Sequence, residues 1–286
     1  MGAEHVFYVK EGEENKTAPL DLYPTPRSLV HLVYDKMEEL YGDSWLDATK
    51  GRVLDLCTGG GMWMVCFMER YAPSEHMTTD LVRYPTLPRW INFAALDLEL
   101  ATPASGRGIT NRGHMEKLLP TGEAFALEHG TFNIVLSNPP YGDLNHTFPE
   151  RAMWLGKRLL HRPNGLNFTD GFMVFLLNST FAESSARYNR IFAYNDVRPS
   201  FELQMSDRWS FNPTTTAGHP KSKSVFVWRG LGNNGFMQKD FVIRPRSRRS
   251  PDYLTNDDYS TIADSPYPPD PLLWNGFDHN ANRRIK

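Results

Sequence analysis

Apolar positions along this chain follow two alternating rhythms. Nearly continuous apolar runs bounded by turn residues occur at Val53-Leu54-Asp55-Leu56-Cys57, Phe132-Asn133-Ile134-Val135-Leu136, Gly171 to Asn178 and Ser224 to Arg229. Short runs of this kind read as buried strands. Glu75 to Thr79 and Val197 to Met205 add further strand patterns. Between them the spacing turns helical. Val30, Val33, Met37, Leu40 and Tyr41 recur on one face, Met62 to Tyr71 is a helix-like run, and Phe148 to Leu160 places Met153, Leu155, Leu159 and Leu160 at helical spacing. Strands alternating with helices predict an α/β domain. The last two strands, joined by a loop, predict an antiparallel hairpin. At 286 residues and 40% hydrophobic content the chain can fill one substantial core.

Two strand ends carry candidate chemistry. The run ending at Leu136 leads into Asn138-Pro139-Pro140-Tyr141. Consecutive prolines hold φ and withhold two backbone donors, so the strand must stop in a rigid, extended corner. The Asn138 side-chain oxygen and the Pro139 carbonyl can accept both hydrogens of an exocyclic NH2, and Tyr141 offers a face for stacking. The run ending at Leu56 leads into Cys57-Thr58-Gly59-Gly60-Gly61 and then a helix, where the backbone can approach a ligand without Cβ clashes. The spacing is not Gly-x-Gly-x-x-Gly, and the loop has no lysine of a Walker phosphate loop. Asp80 follows the next strand, a place where an acid holds ribose hydroxyls. Upstream, Thr25 is a good N-cap residue and Pro26 suits the first helical position. A helix start close to the ligand is the reading of that pair, and a capped scaffold helix with no ligand contact is the alternative.

These residues resemble the S-adenosylmethionine-dependent amino-methyltransferases of nucleic acid, over roughly residues 20–230. The resemblance implies an α/β, Rossmann-like class I methyltransferase fold, with a seven-stranded, mostly parallel sheet and a closing antiparallel hairpin. It implies S-adenosylmethionine as cofactor and Asn138, Pro139, Pro140 and Tyr141 as the catalytic motif of adenine-N6 methyltransferases. Asp55, Cys57, Thr58, Gly59 and Gly61 then resemble the cofactor loop, Asp80 the ribose acid, and Thr25-Pro26 a segment beside the methionine part of the cofactor. An acid beside the adenine ring is implied after the third strand, yet the sequence near Gly108 to Asn111 continues as Arg112-Gly113-His114. His114, or Asp97 from the preceding segment, would stand in for it, although a surface histidine is the simpler reading of His114. Residues 171–230 are similar to bacteriophage-type DNA adenine methyltransferases through Arg198-Pro199-Ser200-Phe201 and Val225-Phe226-Val227-Trp228. DNA is therefore the expected substrate. RNA bases, or a glutamine amide in protein, would suit the same corner, and a binding or assembly protein on a methyltransferase scaffold is an alternative from another class.

A formal net charge of −2 leaves phosphate attraction to local patches. One joins Arg208, Trp209, His219, Lys221 and Lys223, and another gathers Arg244, Arg246, Arg248 and Arg249; a solvated loop and a solvated tail are the commoner explanation of each. Residues 231–286 turn rich in Pro, Asn, Asp and Arg and are expected to form an arm or tail beyond a 1–230 methyltransferase domain, its aromatic anchors suited to the core or a partner chain. No apolar run reaches the about eighteen residues of a membrane span, so a cytoplasmic location, in the host if the source is viral, is expected. Cys57 and Cys66, without clustered histidines, predict no metal site.

Overall fold

The computed structural model describes residues 25–84, 87–103, 117–140, 148–160, 171–183, 192, 198–205 and 222–229, together with the backbone of 238–242. Five strands lie side by side and parallel: β1 (Arg52–Leu56), β2 (Glu75–Asp80), β3 (Phe93–Ala95), β4 (Ile134–Ser137) and β5 (Phe172–Asn178). The strand β7 (Lys223–Arg229) is antiparallel to β5, and β6 (Phe201–Met205) is antiparallel to β7. The order β3-β2-β1-β4-β5-β7-β6 is the Rossmann-like arrangement of a class I methyltransferase, with β7 alone reversed among these seven. An eighth strand, β8 (Gln238–Val242), pairs in parallel with β6 and continues the sheet into the segment expected to be an arm.

Alternation along the strands sorts the core into two layers. Ile134, Leu136, Phe172, Val174, Leu176, Val225 and Val227 face helices α1 (Arg27–Tyr41), α2 (Asp43–Thr49) and α3 (Met62–Arg70). Val135, Met173, Phe175, Leu177, Phe226 and Trp228 face α4 (Leu98–Ala101), α5 (Pro120–His129) and α6 (Phe148–Leu159). Strands covered on both faces need apolar residues at odd and even positions alike, which is why their sequences are continuous apolar runs. The first layer is aromatic: Tyr34 packs edge-on to Phe67 at 5.6 Å between ring centroids, and Trp45 to Phe172 at 5.2 Å. Two of its buried polar tips are paired, Tyr34 Oη donating to the Trp63 carbonyl at 2.8 Å and Trp45 Nε1 donating to Tyr71 Oη at 2.9 Å.

Several expectations shift. Among the described residues the third strand is Phe93–Ala95; the segment near Gly108 to Asn111 expected to form it lies outside the described residues. Three residues are enough there because β3 is the edge strand and pairs only with Thr78 to Asp80 of β2. The sixth strand begins at Phe201 rather than Val197, since its ladder with β7 starts at the Phe201–Val227 pair. The strand expected from Phe132 starts at Ile134; Phe132 instead bridges to Leu160 beyond α6. Helices α2, α4 and α5 have no counterpart in the sequence reading. Glycines crowd one end of the sheet: a Cβ on Gly171 would lie 2.6 Å from the Asn133 carbonyl oxygen, which accepts from Phe172 N at 2.9 Å.

Candidate functional site

The chain leaves β1 through three left-handed residues, Cys57 (φ 61°), Gly59 (φ 53°) and Gly61 (φ 86°). Glycine adopts this conformation freely, whereas a cysteine holds it against about 1–2 kcal/mol of strain. The turn closes with Gly61 N donating to the Thr58 carbonyl at 2.8 Å, and α3 starts directly from it, Val65 N donating to the Gly61 carbonyl. Two bonds fasten the loop to the end of β2: Thr58 N to the Thr79 carbonyl at 2.8 Å, and Gly59 N to Asp80 Oδ2 at 2.9 Å. The other Asp80 oxygen accepts from Leu81 N at 2.7 Å. Asp80 therefore shapes the loop as well as facing it, and burial raises its pKa.

Beneath the loop, Asp55 is fully buried on β1. Its Oδ2 accepts from Thr58 Oγ1 at 2.6 Å. Burial pushes its pKa up to about 7, against the pull of the Thr58 bond and with Asp80 adding repulsion. The Met64 amide is close enough to draw the pKa down, yet Oδ1 makes no hydrogen bond of good geometry among the described residues. Thr79 Oγ1 is likewise buried without a partner there. Buried polar atoms left unpaired are rare and call for a partner. Acceptors unsatisfied around a glycine loop fit a polar small molecule seated against it, such as a nucleoside cofactor.

The second strand end lies next to the first. Ser137 pairs with Leu56 in register and its hydroxyl donates to the Leu56 carbonyl, so Asn138 leaves β4 where Cys57 leaves β1. This is the topological switch point of the sheet, where β1 connects toward β2 on one side while β4 flanks it on the other; such crevices hold ligands in open α/β sheets. Asn138 is half-buried, Pro139 buried and Pro140 half-buried. The Asn138 amide nitrogen donates to Thr25 Oγ1 at 3.2 Å, joining residues 113 apart in the chain. Thr25 is consequently not the helix cap expected of it. Pro26 takes the cap position with an extended ψ of 134°, no side chain caps the helix, and the Thr25 hydroxyl is spent on Asn138 instead.

Thr25, Asp55, Cys57, Thr58, Gly59, Gly61, Asp80 and Asn138 thus gather at the C-terminal edge of β1, β2 and β4. Tyr141 and His114 lie outside the described residues. With the third strand at Phe93–Ala95, the acid that follows it is Asp97, whose side chain accepts from Glu99 N at 2.7 Å and caps α4. The Cys57 thiol is pushed well up in pKa by burial, then by Asp80 and Asp55. Sequence reasoning missed Tyr84, a buried ring whose hydroxyl is raised by burial and by the nearby charges of Asp80 and Cys57. It also missed the exposed pair Leu81 and Val82 directly after the acid, for which an apolar pair at a polar strand end is the available signal. Away from this edge, the seam of α1 and α3 brings His31, Cys66 and Glu69 within 4.8 Å of one another through their ligand atoms; Glu69 there is ion-paired with Arg27. Of the expected basic patches only Lys223 is among the described residues, and it is buried, its Nζ donating to Asn178 Oδ1 at 2.8 Å.

No protein-family model and no curated protein matches the chain. Among solved structures it is similar to a modification subunit of a putative type I restriction enzyme from Vibrio vulnificus, at 13% identity over 78% of this chain and 52% of that one, with a TM-score of 0.45. It is also similar to the protein of a DrdV–DNA complex, at 13% identity over 79% of this chain and 28% of the other, TM-score 0.48. A predicted O-methyltransferase from Agrobacterium tumefaciens is 13% identical over 76% of this chain and 96% of its own, TM-score 0.39. The chain spans about half the length of the first of these and about a quarter of the second.

Proposed function

We propose that this protein transfers the methyl group of S-adenosylmethionine to the exocyclic N6 of adenine in DNA. The observation that carries the reading is the placement of Asn138: an amide held by Thr25 at the end of β4, one strand from a glycine loop bounded by buried oxygens that lack a well-formed hydrogen bond among the described residues. Asp55, Thr58, Gly59, Gly61 and Asp80 are the residues that would hold the cofactor, which supplies the electrophilic methyl when bound. Asp80 would take the ribose hydroxyls on the lone pairs not used by Gly59 and Leu81. Leu81 and Val82 would cover the apolar face of the base attached to that ribose.

The substrate adenine, unpaired or flipped from the duplex, enters the corner and stacks on Tyr141. Asn138 Oδ1 and the Pro139 carbonyl accept its two amino hydrogens, which turns the nitrogen lone pair toward the glycine loop. Holding the two reacting groups in this way can supply roughly 7–11 kcal/mol of the barrier. The same two acceptors stabilise the positive charge that grows on the nitrogen, and the surplus proton departs to solvent. The test is incubation with labelled S-adenosylmethionine and, separately, duplex DNA, single-stranded DNA, RNA and protein, followed by mass spectrometry of nucleosides and peptides. N6-methyladenine from DNA with wild type, and none with Asn138→Ala, is the expected result. Label only in RNA or on glutamine would replace the substrate, and failure to bind or use the cofactor would remove the reading.

A further inference from the structure

Thr25 does something its local sequence does not announce. Proline at 26 disfavours the helical region for the residue before it, so Thr25 stands outside α1 and its hydroxyl is not directed at the helix end. The helix behind it is fixed by Leu29, Val30, Val33, Tyr34 and Met37, all fully buried. The hydroxyl is therefore presented from a rigid element. It meets the Asn138 amide at 3.2 Å, and Thr25 is only 4% exposed, which leaves little access for water to take its place.

An asparagine amide can sit in either of two orientations, with oxygen and nitrogen exchanged. For an incoming amine only one is useful: oxygen forward accepts its hydrogen, whereas nitrogen forward sets donor against donor. We infer that Thr25 is a positioning residue that fixes the Asn138 amide with its nitrogen held back and its oxygen presented to the substrate amine. The inference rests on the methyl-transfer reading for its consequence, and gives Thr25 a role beyond lying near the cofactor. With valine at 25 the shape is kept but the acceptor that Thr25 offers the amide nitrogen is lost. With serine the hydroxyl remains.

The experiment compares the full chain with Thr25→Val, Thr25→Ser and Asn138→Ala in two readouts. The first is hydrogen exchange of the Asn138 side-chain NH2 by NMR, its signals identified by their loss in Asn138→Ala. Exchange is expected to be slow in wild type and Thr25→Ser and at least about tenfold faster in Thr25→Val, the loss of one ordinary hydrogen bond. The second is single-turnover methyl transfer at saturating cofactor. Thr25→Val should lower the rate about tenfold or more while cofactor Kd and thermal midpoint stay near wild type, and Thr25→Ser should restore it. Unchanged NH2 exchange in Thr25→Val overturns the inference, as does a wild-type rate at saturation with only Kd weakened, which would make Thr25 a cofactor contact. Wild-type protein that transfers no methyl to any acceptor, but shows the exchange difference, would remove the proposed reaction and leave the pinning of Asn138 in place.

Discussion

The buried Asp55 carboxyl makes stability depend on pH in a direction opposite to that of most acids. Its pKa in the folded chain is pushed up to about 7 from an ordinary value of 3.8, chiefly by burial. Between those two values the folded state keeps a proton that the unfolded state has released, so stability falls as pH rises from about 4 and levels off above about 7. Between pH 3.8 and about 7, at about 1.36 kcal/mol per pH unit, the loss is roughly 4 kcal/mol, or about 10 °C in thermal midpoint for a chain of this size. Asp55→Asn removes the ionisation while keeping an oxygen for the Thr58 hydroxyl. Burying a carboxamide beside the Met64 amide adds its own penalty, but that penalty does not vary with pH. The quantity to compare is therefore the slope. Denaturant unfolding followed by tryptophan fluorescence from pH 4.5 to 8.5 should show wild type losing stability relative to Asp55→Asn up to about pH 7 and running parallel above it. Asp80, also raised by burial, is present in both proteins and largely cancels. Curves that stay parallel throughout would show that Asp55 is already ionised in the folded chain and would refute the reasoning.

Three further outcomes follow from the same geometry. The Cys66 thiol is fully buried and held well above its ordinary pKa by that burial, so at pH 8 iodoacetamide should leave Cys66 unlabelled in the native chain and label it in denaturant; rapid native labelling of Cys66 would contradict the thiol environment described. Phe172, fully buried between Trp45 and Tyr41 with its ring 5.2 Å and 5.0 Å from theirs, should lose about 3–5 kcal/mol of stability on Phe172→Ala by denaturant titration. Asn138→Ala should abolish methyl transfer while leaving cofactor Kd near wild type in equilibrium binding; a variant that retains the wild-type rate would dismiss Asn138 as an acceptor of the amine.

Strands buried on both faces are legible because no other element of that length needs an unbroken apolar run, and β1, β4, β5 and β7 all lie where such runs occur. Edge and short elements are not. Phe93–Ala95 spans three residues and pairs on one side only, so neither length nor alternation separates it from a loop, and the family resemblance pointed near Gly108 instead. The helix α5 is apolar around much of its circumference, with Leu127 84% exposed, and presents no clean stripe to read. With the third strand at Phe93–Ala95, the acid that follows it is Asp97, which the sequence reading named beside His114.

At the candidate site the division is sharper. Local chemistry was enough to name the glycine loop, the acid after β2 and the proline corner after β4, because backbone that must turn at φ values near +60° and strands that must stop at proline leave their mark on a few adjacent residues. Which of these touch, and with what consequence, depends on pairing between distant segments. Parallel register sets Ser137 beside Leu56, the Asp80 carboxylate reaches back to Gly59, and the Thr25 hydroxyl meets Asn138 across 113 residues. The raised pKa of Asp55 arises from burial under that assembled edge, where its Oδ1 makes no well-formed hydrogen bond among the described residues. Desolvation and hydrogen-bond partnership are properties of a place rather than of a residue, so the sequence supplied the chemical groups and the tertiary structure alone decided which of them face one another and at what charge.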